Sequence, residues 1–139
     1  MFQKILFAHD GGLLAERAMV YLEHIARVEQ AEVIVLHAYQ PPDRYAAVDG
    51  YEALRDQYHA VAQEVVDDAV SYLAEREVSA RGLVIADEGA RAILQAAAEE
   101  EASLIVIGTR GPSSMAELML GNVSSEVLRH AGCPVLVVP

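Results

Sequence analysis

Three glycines near the carboxyl end of the chain are spaced in a way that suits the binding of a phosphate. Gly108 and Gly111 follow the apolar run 104–107, which predicts a buried strand, and nine residues separate Gly111 from Gly121. Gly121 leads into segment 123–130, which has the pattern of an amphipathic helix. Glycine lets backbone N–H groups approach an anion closely, and a helix N-terminus adds further donors. The spacing therefore indicates a phosphate-binding turn between a strand and a helix.

A second turn with useful chemistry follows the first predicted strand, residues 5–8. It contains Asp10 within the sequence His9-Asp10-Gly11-Gly12. In open α/β sheets, ligands bind beyond the carboxyl ends of strands, where the strand order reverses. If the first and fourth strands are neighbours, Asp10 and Gly108 flank one crevice. The carboxylate could then accept hydrogen bonds from ribose hydroxyls, while the glycine turn takes the phosphates.

Each part of this pattern also has a simpler interpretation. Asp10 alone is typical of a helix N-cap, and Gly-x-x-Gly alone is typical of a tight turn. Arg110 is either a contact of a terminal phosphate or a solvent-exposed loop residue. A nucleotide site is favoured because the acidic residue and the glycines occur together, at the ends of strands and at the start of a helix.

The elements that must position these turns alternate along the chain. Strands are predicted at residues 5–8, 33–38, 81–86, 104–107 and 134–138, and helices at 16–29, 51–72, 90–101 and 123–130. This alternation predicts an α/β fold, with one open parallel sheet and helices on both faces, in a single domain of residues 1–139. In the longest helix we expect one apolar face to pack on the sheet, formed by Tyr51, Leu54, Tyr58, Val61, Val65, Ala69 and Tyr72.

Composition narrows the class of partner. The chain has 139 residues, 53% of them hydrophobic, and a formal net charge of -11. Duplex nucleic acid or an anionic membrane would be repelled over most of such a surface, whereas a local cradle of amides could still bind a nucleotide. No targeting segment or membrane span is visible, and the single cysteine fits a reducing compartment. We therefore expect a cytoplasmic protein.

Efficient phosphoryl-transfer chemistry is not apparent in the sequence. There is no phosphate-binding loop of the Gly-x4-Gly-Lys-Ser/Thr type, and the only lysine is Lys4. His9, Asp10 and His37 could converge at adjacent strand ends, but they lack the tight spacing of metal ligands. We therefore expect no bound structural metal and, at most, slow ATP hydrolysis.

In the pattern Gly108-x2-Gly111-x9-Gly121-Asn122 the chain resembles the nucleotide-binding universal stress proteins. Their signature is Gly, two residues, Gly, nine residues, Gly, and then Ser or Thr. The resemblance covers the whole chain, including Asp10-Gly11 and the final run 133–138. It implies a Rossmann-like sheet of five parallel strands in the order 3-2-1-4-5, with the first and fourth strands adjacent.

The resemblance also implies a set of contacts. Asp10 would hold the ribose, the backbone of Ala8 or His9 would lie close by, and the backbone of Ala38 would meet adenine. The residues implied around the phosphates are Gly108, Arg110, Gly111, Gly121, Asn122, Val123 and Ser124. The ligand would be ATP, with AMP and cyclic AMP as alternatives, and any Mg²⁺ would be held mainly through the phosphates of the nucleotide.

Two residues depart from the family pattern. Asn122 stands where the family has a small hydroxyl residue, which puts one phosphate contact in doubt. Gly12 stands where serine usually follows Asp-Gly, so a side-chain cap for the first helix is lost. Neither change removes the backbone donors of the glycine turn.

The last predicted strand is apolar and carries no charge over residues 135–138. The resemblance implies that this edge pairs with its own copy in a homodimer. The overall expectation is a homodimeric stress-response or signalling module that binds ATP or a related adenine nucleotide and acts on an unknown protein partner. Two alternatives remain open, a nucleotide-free homodimeric scaffold that acts through protein contacts, and a slow ATPase or autokinase.

Overall fold

The structure is a computed structural model that describes residues 1–108 and 122–139. Strands and helices alternate as the sequence predicts. In chain order they are β1 (Lys4–Ala8), α1 (Leu13–Glu29), β2 (Glu32–Tyr39), a 3₁₀ turn (Asp43–Tyr45), α2 (Tyr51–Glu75), β3 (Ser79–Ala86), α3 (Gly89–Glu99), β4 (Leu104–Gly108), α4 (Asn122–His130) and β5 (Val135–Val138). The first helix begins earlier than predicted, directly after the Gly11-Gly12 turn.

The five strands form one parallel sheet in the order β3-β2-β1-β4-β5. This confirms the predicted fold class and strand order. Ala8 at the end of β1 aligns with Leu36 of β2 on one side and with Ile107 of β4 on the other. The turns that follow these strands therefore leave the same edge of the sheet.

The sheet separates two apolar cores, because successive side chains of a strand point to opposite faces. In β1, Ile5 and Phe7 belong to the core covered by α1 and α2, whereas Leu6 belongs to the core covered by α3 and α4. All three side chains are fully buried. The helices thus lie on both faces, as predicted.

The face that α2 buries matches the predicted one only in part, at the buried Ala69 and at Tyr72, which packs against the core. Tyr58 and Val61 are exposed, and the buried residues are Ala62, Val66, Ala69 and Leu73. The physical reason lies in β3, where a Cβ on Gly82 would stand only 2.0 Å from Cγ1 of Val66. The missing side chain lets α2 approach the sheet through Val66, which turns Tyr58 and Val61 outward.

Residues 1–108 and 122–139 contain four α-helices. The longest, α2, has 25 residues and buries only one narrow stripe. None of them combines the length and the hydropathy needed to cross a bilayer.

Candidate functional site

A cleft of about 500 Å³ opens beyond the carboxyl ends of β1, β2 and β4. It lies where the strand order reverses, with β2 on one side of β1 and β4 on the other. The volume falls in the range of small-molecule sites. The lining residues are Ala8, His9, Asp10, Ala15, Leu36, Ala38, Gly89, Ile93, Ile107, Gly108, Asn122, Val123 and Ser124.

The residues singled out from the sequence converge on this cleft wherever the structure describes them. Those that line it are Ala8, His9, Asp10, Ala38, Gly108, Asn122, Val123 and Ser124. Arg110, Gly111 and Gly121 lie outside the described residues. The structure thus places the turn after β1 and the start of α4 around one cavity, and their roles toward a ligand remain predictions.

Two hydrogen bonds between side chains and backbone hold the turn from β1 to α1. The N–H of Gly11 donates to Nδ1 of His9 at 2.9 Å, and the N–H of Gly12 donates to Oδ1 of Asp10 at 2.8 Å. Gly11 has a φ of 85°, which favours glycine at this position. Gly12 is the N-cap of α1 and makes no side-chain cap hydrogen bond, as expected from the loss of serine. Asp10 instead stabilises the turn from two residues before this N-cap.

The carboxylate of Asp10 is exposed at the cleft, although one of its oxygens is used in the turn. Among the hydrogen bonds and ion pairs of the described residues, none involves Oδ2 of Asp10. This oxygen can therefore accept a hydrogen bond from a ligand hydroxyl without disturbing the turn.

His9 is buried at the inner end of the same turn, with 7% of its surface exposed. Burial lowers the pKa of its imidazole, and the nearby carboxylate of Asp10 opposes this effect. Because Nδ1 accepts the N–H of Gly11, the proton of the neutral ring is on Nε2. The carbonyl of His9 lies 2.5 Å from Nδ1 of His37, which donates to it. In the described part of the chain, no three His, Cys, Asp or Glu side chains are grouped so that they could hold a metal ion.

The apolar part of the cleft lining includes residues that the sequence did not single out. They are Ala15, Leu36, Gly89, Ile93 and Ile107. Leu36 and Ile107 align with Ala8, so the strand pairing could have pointed to them. Gly89 and Ile93 come from α3, and only the way that α3 packs brings them to the cleft. This wall offers a surface for a flat, apolar ring.

The start of α4 closes the remaining side of the cleft. Asn122 and Val123 are exposed, whereas Ser124 is buried. The first N–H groups of a helix have no partner within the helix, so they provide donors for an anion together with the positive end of the helix dipole. Among the described lining residues, His9 and Asp10 are the only ones with ionisable side chains, and Asp10 carries the only carboxylate.

Known protein structures share this architecture. MJ0577 of Methanocaldococcus jannaschii superposes with a TM-score of 0.87 at 23% identity, over 99% of this chain and 96% of its own. A universal stress protein in complex with cAMP superposes with a TM-score of 0.74 at 23% identity, over 99% of this chain and 96% of its own. A universal stress protein from Archaeoglobus fulgidus in complex with dAMP superposes with a TM-score of 0.71 at 21% identity, over 100% of this chain and 98% of its own. At these identities the likeness shows the fold.

Sequence relatives are more similar. The universal stress protein in the QAH/OAS sulfhydrylase 3′ region of Thermus aquaticus is 37% identical over 138 residues, 99% of each chain. Universal stress protein YxiE of Bacillus subtilis is 33% identical over 147 aligned positions, again 99% of each chain. The model of the universal stress protein family matches residues 1–139. The chain belongs to the universal stress protein family.

Proposed function

We propose that the protein binds an adenine nucleotide, ATP in the first place, in the cleft beyond β1 and β4. Bound nucleotide would then set the state of a cytoplasmic stress-response or signalling module. One observation carries the proposal: the Asp10 carboxylate and the start of α4 line the same cavity of about 500 Å³. A hydroxyl acceptor and a set of anion donors are the two polar elements that a nucleotide requires.

Each part of a nucleotide has a matching part of the cleft. The ribose hydroxyls would donate to Oδ2 of Asp10. The phosphates would accept hydrogen bonds from the N-terminal N–H groups of α4, and from the glycine turn that includes Gly111 and Gly121. Adenine would lie on the apolar wall beside Ala38 and Ile93. Arg110 is the one basic side chain that the sequence supplies between residues 109 and 121.

Electrostatics decide which form of the ligand suits the cleft. The chain has a formal net charge of -11, and Asp10 adds a negative charge at the site. Backbone donors alone compensate a triphosphate poorly, so we expect Mg²⁺, bound through the phosphate oxygens, to strengthen ATP binding. AMP and cyclic AMP carry less charge and remain candidate ligands. The related structures that hold cAMP and dAMP support an adenine nucleotide, although their low identity leaves the cleft itself as the main support.

A nucleotide-free homodimeric scaffold is the second candidate, and Asn122 is the residue that favours it. Asn122 lies at the first position of α4, where the family pattern has a small hydroxyl residue. In either case we propose a homodimer formed through β5, since this strand is an edge of the sheet. A loss of nucleotide binding would leave the paired chain as the functional unit.

Two measurements test the proposed function. Mass spectrometry of the purified protein should detect co-purified adenine nucleotide, and calorimetric titration with ATP, AMP and cyclic AMP, each with and without Mg²⁺, should rank the ligands. GTP is the control for base recognition. The absence of binding at roughly millimolar ATP with Mg²⁺, the weak limit of useful affinity, would reject the nucleotide proposal in favour of the scaffold.

A further inference from the structure

We infer that the side chain of His9 is a positioning residue for this cleft. Its neutral imidazole holds the turn from β1 to α1 in the form that presents Asp10, and its protonation therefore weakens nucleotide binding. The part about binding rests on the proposed function, whereas the part about the turn concerns the protein without ligand.

The contacts around His9 fix both its backbone and its ring. Its N–H donates to the carbonyl of Leu36 at 2.8 Å, and its own carbonyl accepts from His37. The ring meets Phe7 edge-on, with centroids 5.4 Å apart and an interplanar angle of 62°. Because the side chain is also almost completely buried, the ring has little room to rotate, and Nδ1 stays directed at Gly11.

Protonation would turn that hydrogen bond into a conflict. Nδ1 would carry a proton directed at the N–H of Gly11, so two donors would face each other at about the present 2.9 Å. The ring is held by its neighbours, whereas Gly11 is a glycine at positive φ with wide conformational freedom. The peptide would therefore move, and with it the adjoining bond from Gly12 to Oδ1 of Asp10. The Asp10 carboxylate would lose its present orientation.

The charged groups around His9 decide when this happens. Asp10 in the same turn and Glu16 on α1 favour the charged imidazole, whereas burial and His37 on β2 disfavour it. Burial has the largest effect, so the pKa of His9 lies below its ordinary value. Within the described residues these are the ionisable groups that act on the ring. His9 is thus neutral at pH 7 and becomes protonated only as the solution is acidified.

The direction of the pH dependence separates this role from direct phosphate binding. If the imidazolium itself contacted the phosphates, acidification would strengthen binding, because a positive charge would enter the cleft. If neutral His9 holds the turn, acidification weakens binding. The two roles therefore predict opposite signs.

The first test uses the protein without nucleotide. Amide NMR signals of Gly11 and Gly12 are followed from roughly pH 8 to 5, the range in which histidine titrates, in the wild type and in His9→Asn. The Asn side chain places an acceptor oxygen near the position of Nδ1 and has no proton to gain. We expect both amides to shift with the His9 titration in the wild type and to stay flat in the variant. Amides that remain flat in the wild type while His9 titrates would overturn the inference.

The second test measures ATP affinity at about pH 7.5, above the ordinary histidine pKa, and at a pH at which the amide titration of the first test shows His9 to be protonated. His9→Ala should weaken binding roughly fivefold to tenfold at the higher pH, as expected for one lost hydrogen bond, and His9→Asn should recover most of this loss. On acidification the wild type should lose more affinity than His9→Asn. Comparing the two proteins cancels the ionisation of ATP itself, whose terminal phosphate also titrates near pH 6.

The outcomes of the second test are distinguishable. An equal loss of affinity in the wild type and His9→Asn, or a gain for the wild type at low pH, would overturn the positioning role. If neither the wild type nor the two His9 variants bind ATP at either pH, the proposed function fails. The NMR titration of the Gly11 and Gly12 amides still decides whether His9 controls the turn. Thermal denaturation of both variants shows whether they are folded.

Discussion

Gly89 at the start of α3 lies against Val123 at the start of α4, and both residues line the cleft. A Cβ on Gly89 would lie 3.3 Å from Cγ2 of Val123 and 3.7 Å from its Cγ1. This distance is tighter than most contacts of real side chains, so the two helices approach closely because residue 89 has no side chain. The N-termini of α3 and α4 are therefore in direct contact beside the cleft.

This contact predicts that Gly89→Ala weakens nucleotide binding without unfolding the protein. The new methyl group must displace Val123 by a few tenths of an ångström, which shifts the N-terminus of α4. We expect a loss of roughly 1 kcal/mol in ATP binding, the value of about one hydrogen bond from a displaced donor, measured by calorimetry. Gly89 has no positive φ, so thermal stability should change little. The double variant Gly89→Ala/Val123→Ala should bind better than Gly89→Ala alone, and a strictly additive loss would contradict the steric explanation.

Replacement of Asp10 tests ribose recognition. Asp10→Ala should weaken ATP binding by about 1–3 kcal/mol, the cost of losing a charged hydrogen-bond partner. Asp10→Asn retains an oxygen that can accept the N–H of Gly12, so it separates the loss of charge from the loss of the turn. Asp68→Ala, at an exposed position of α2, is the matched control. Unchanged affinity in Asp10→Ala would show that Asp10 does not hold the ribose.

The fold was predictable because its signals are local and repeat along the chain. Short β-branched runs alternate with helical segments, and this alternation alone specifies a parallel sheet. Asp10 and Gly108 were predictable for the same reason, since each lies at the carboxyl end of a strand and parallel strands end at one edge. The order 3-2-1-4-5 came from the resemblance carried by the glycine pattern, and the pairing of β1 with β4 confirms it.

The features that could not be predicted depend on which face a helix turns to the sheet and where it packs. The buried face of α2 is set by the fit of Val66 against Gly82 on another element. The periodicity of α2 itself pointed to Ala69 correctly but missed Ala62, Val66 and Leu73. Gly89 and Ile93 reach the cleft only because α3 crosses the sheet where it does. The hydrogen bond from the N–H of Gly11 to Nδ1 of His9 could not be predicted from the sequence either, because it requires the positive φ of Gly11.

A single substitution can restore the family pattern at residue 122, where Asn122 replaces a small hydroxyl residue. Asn122→Ser restores a small hydroxyl at the first position of α4, where it can donate to a phosphate. We expect ATP binding to become tighter by about 0.5–1.5 kcal/mol, the net value of one hydrogen bond. Asn122→Ala is the control, since it removes the amide without adding a hydroxyl. A serine variant that binds no better than the alanine variant would show that this position does not contact the phosphates.

The packing of α2 on the sheet predicts a site of high sensitivity far from the cleft. Gly82→Ala would place its Cβ 2.0 Å from Cγ1 of Val66, a stiff β-branched side chain. We expect a loss of roughly 1–3 kcal/mol in the free energy of unfolding, measured by urea denaturation. Adding Val66→Ala should recover part of that loss, because it removes the clashing methyl group. Full stability of Gly82→Ala would mean that α2 can shift without cost.

The edge strand β5 predicts a dimer that depends on the backbone donors directed to its outer edge. The N–H of Ile105 on β4 donates to the carbonyl of Pro134 at 3.0 Å. Alternate residues of a parallel strand direct their backbone groups to the same neighbour, so those of Val135 and Val137 are directed to the outer edge. Proline at such a position removes a donor without breaking the ladder to β4.

We therefore expect the wild type to be a dimer and Val137→Pro to shift it toward the monomer, measured by light scattering coupled to size-exclusion chromatography. Val137→Thr keeps both the N–H and the β-branched shape, so it should remain dimeric and serves as the control. Thermal denaturation checks that the proline variant is folded. A monomeric wild type, or a folded Val137→Pro that dimerises as well as the threonine variant, would contradict pairing through β5, because a backbone ladder across the two-fold axis requires that donor.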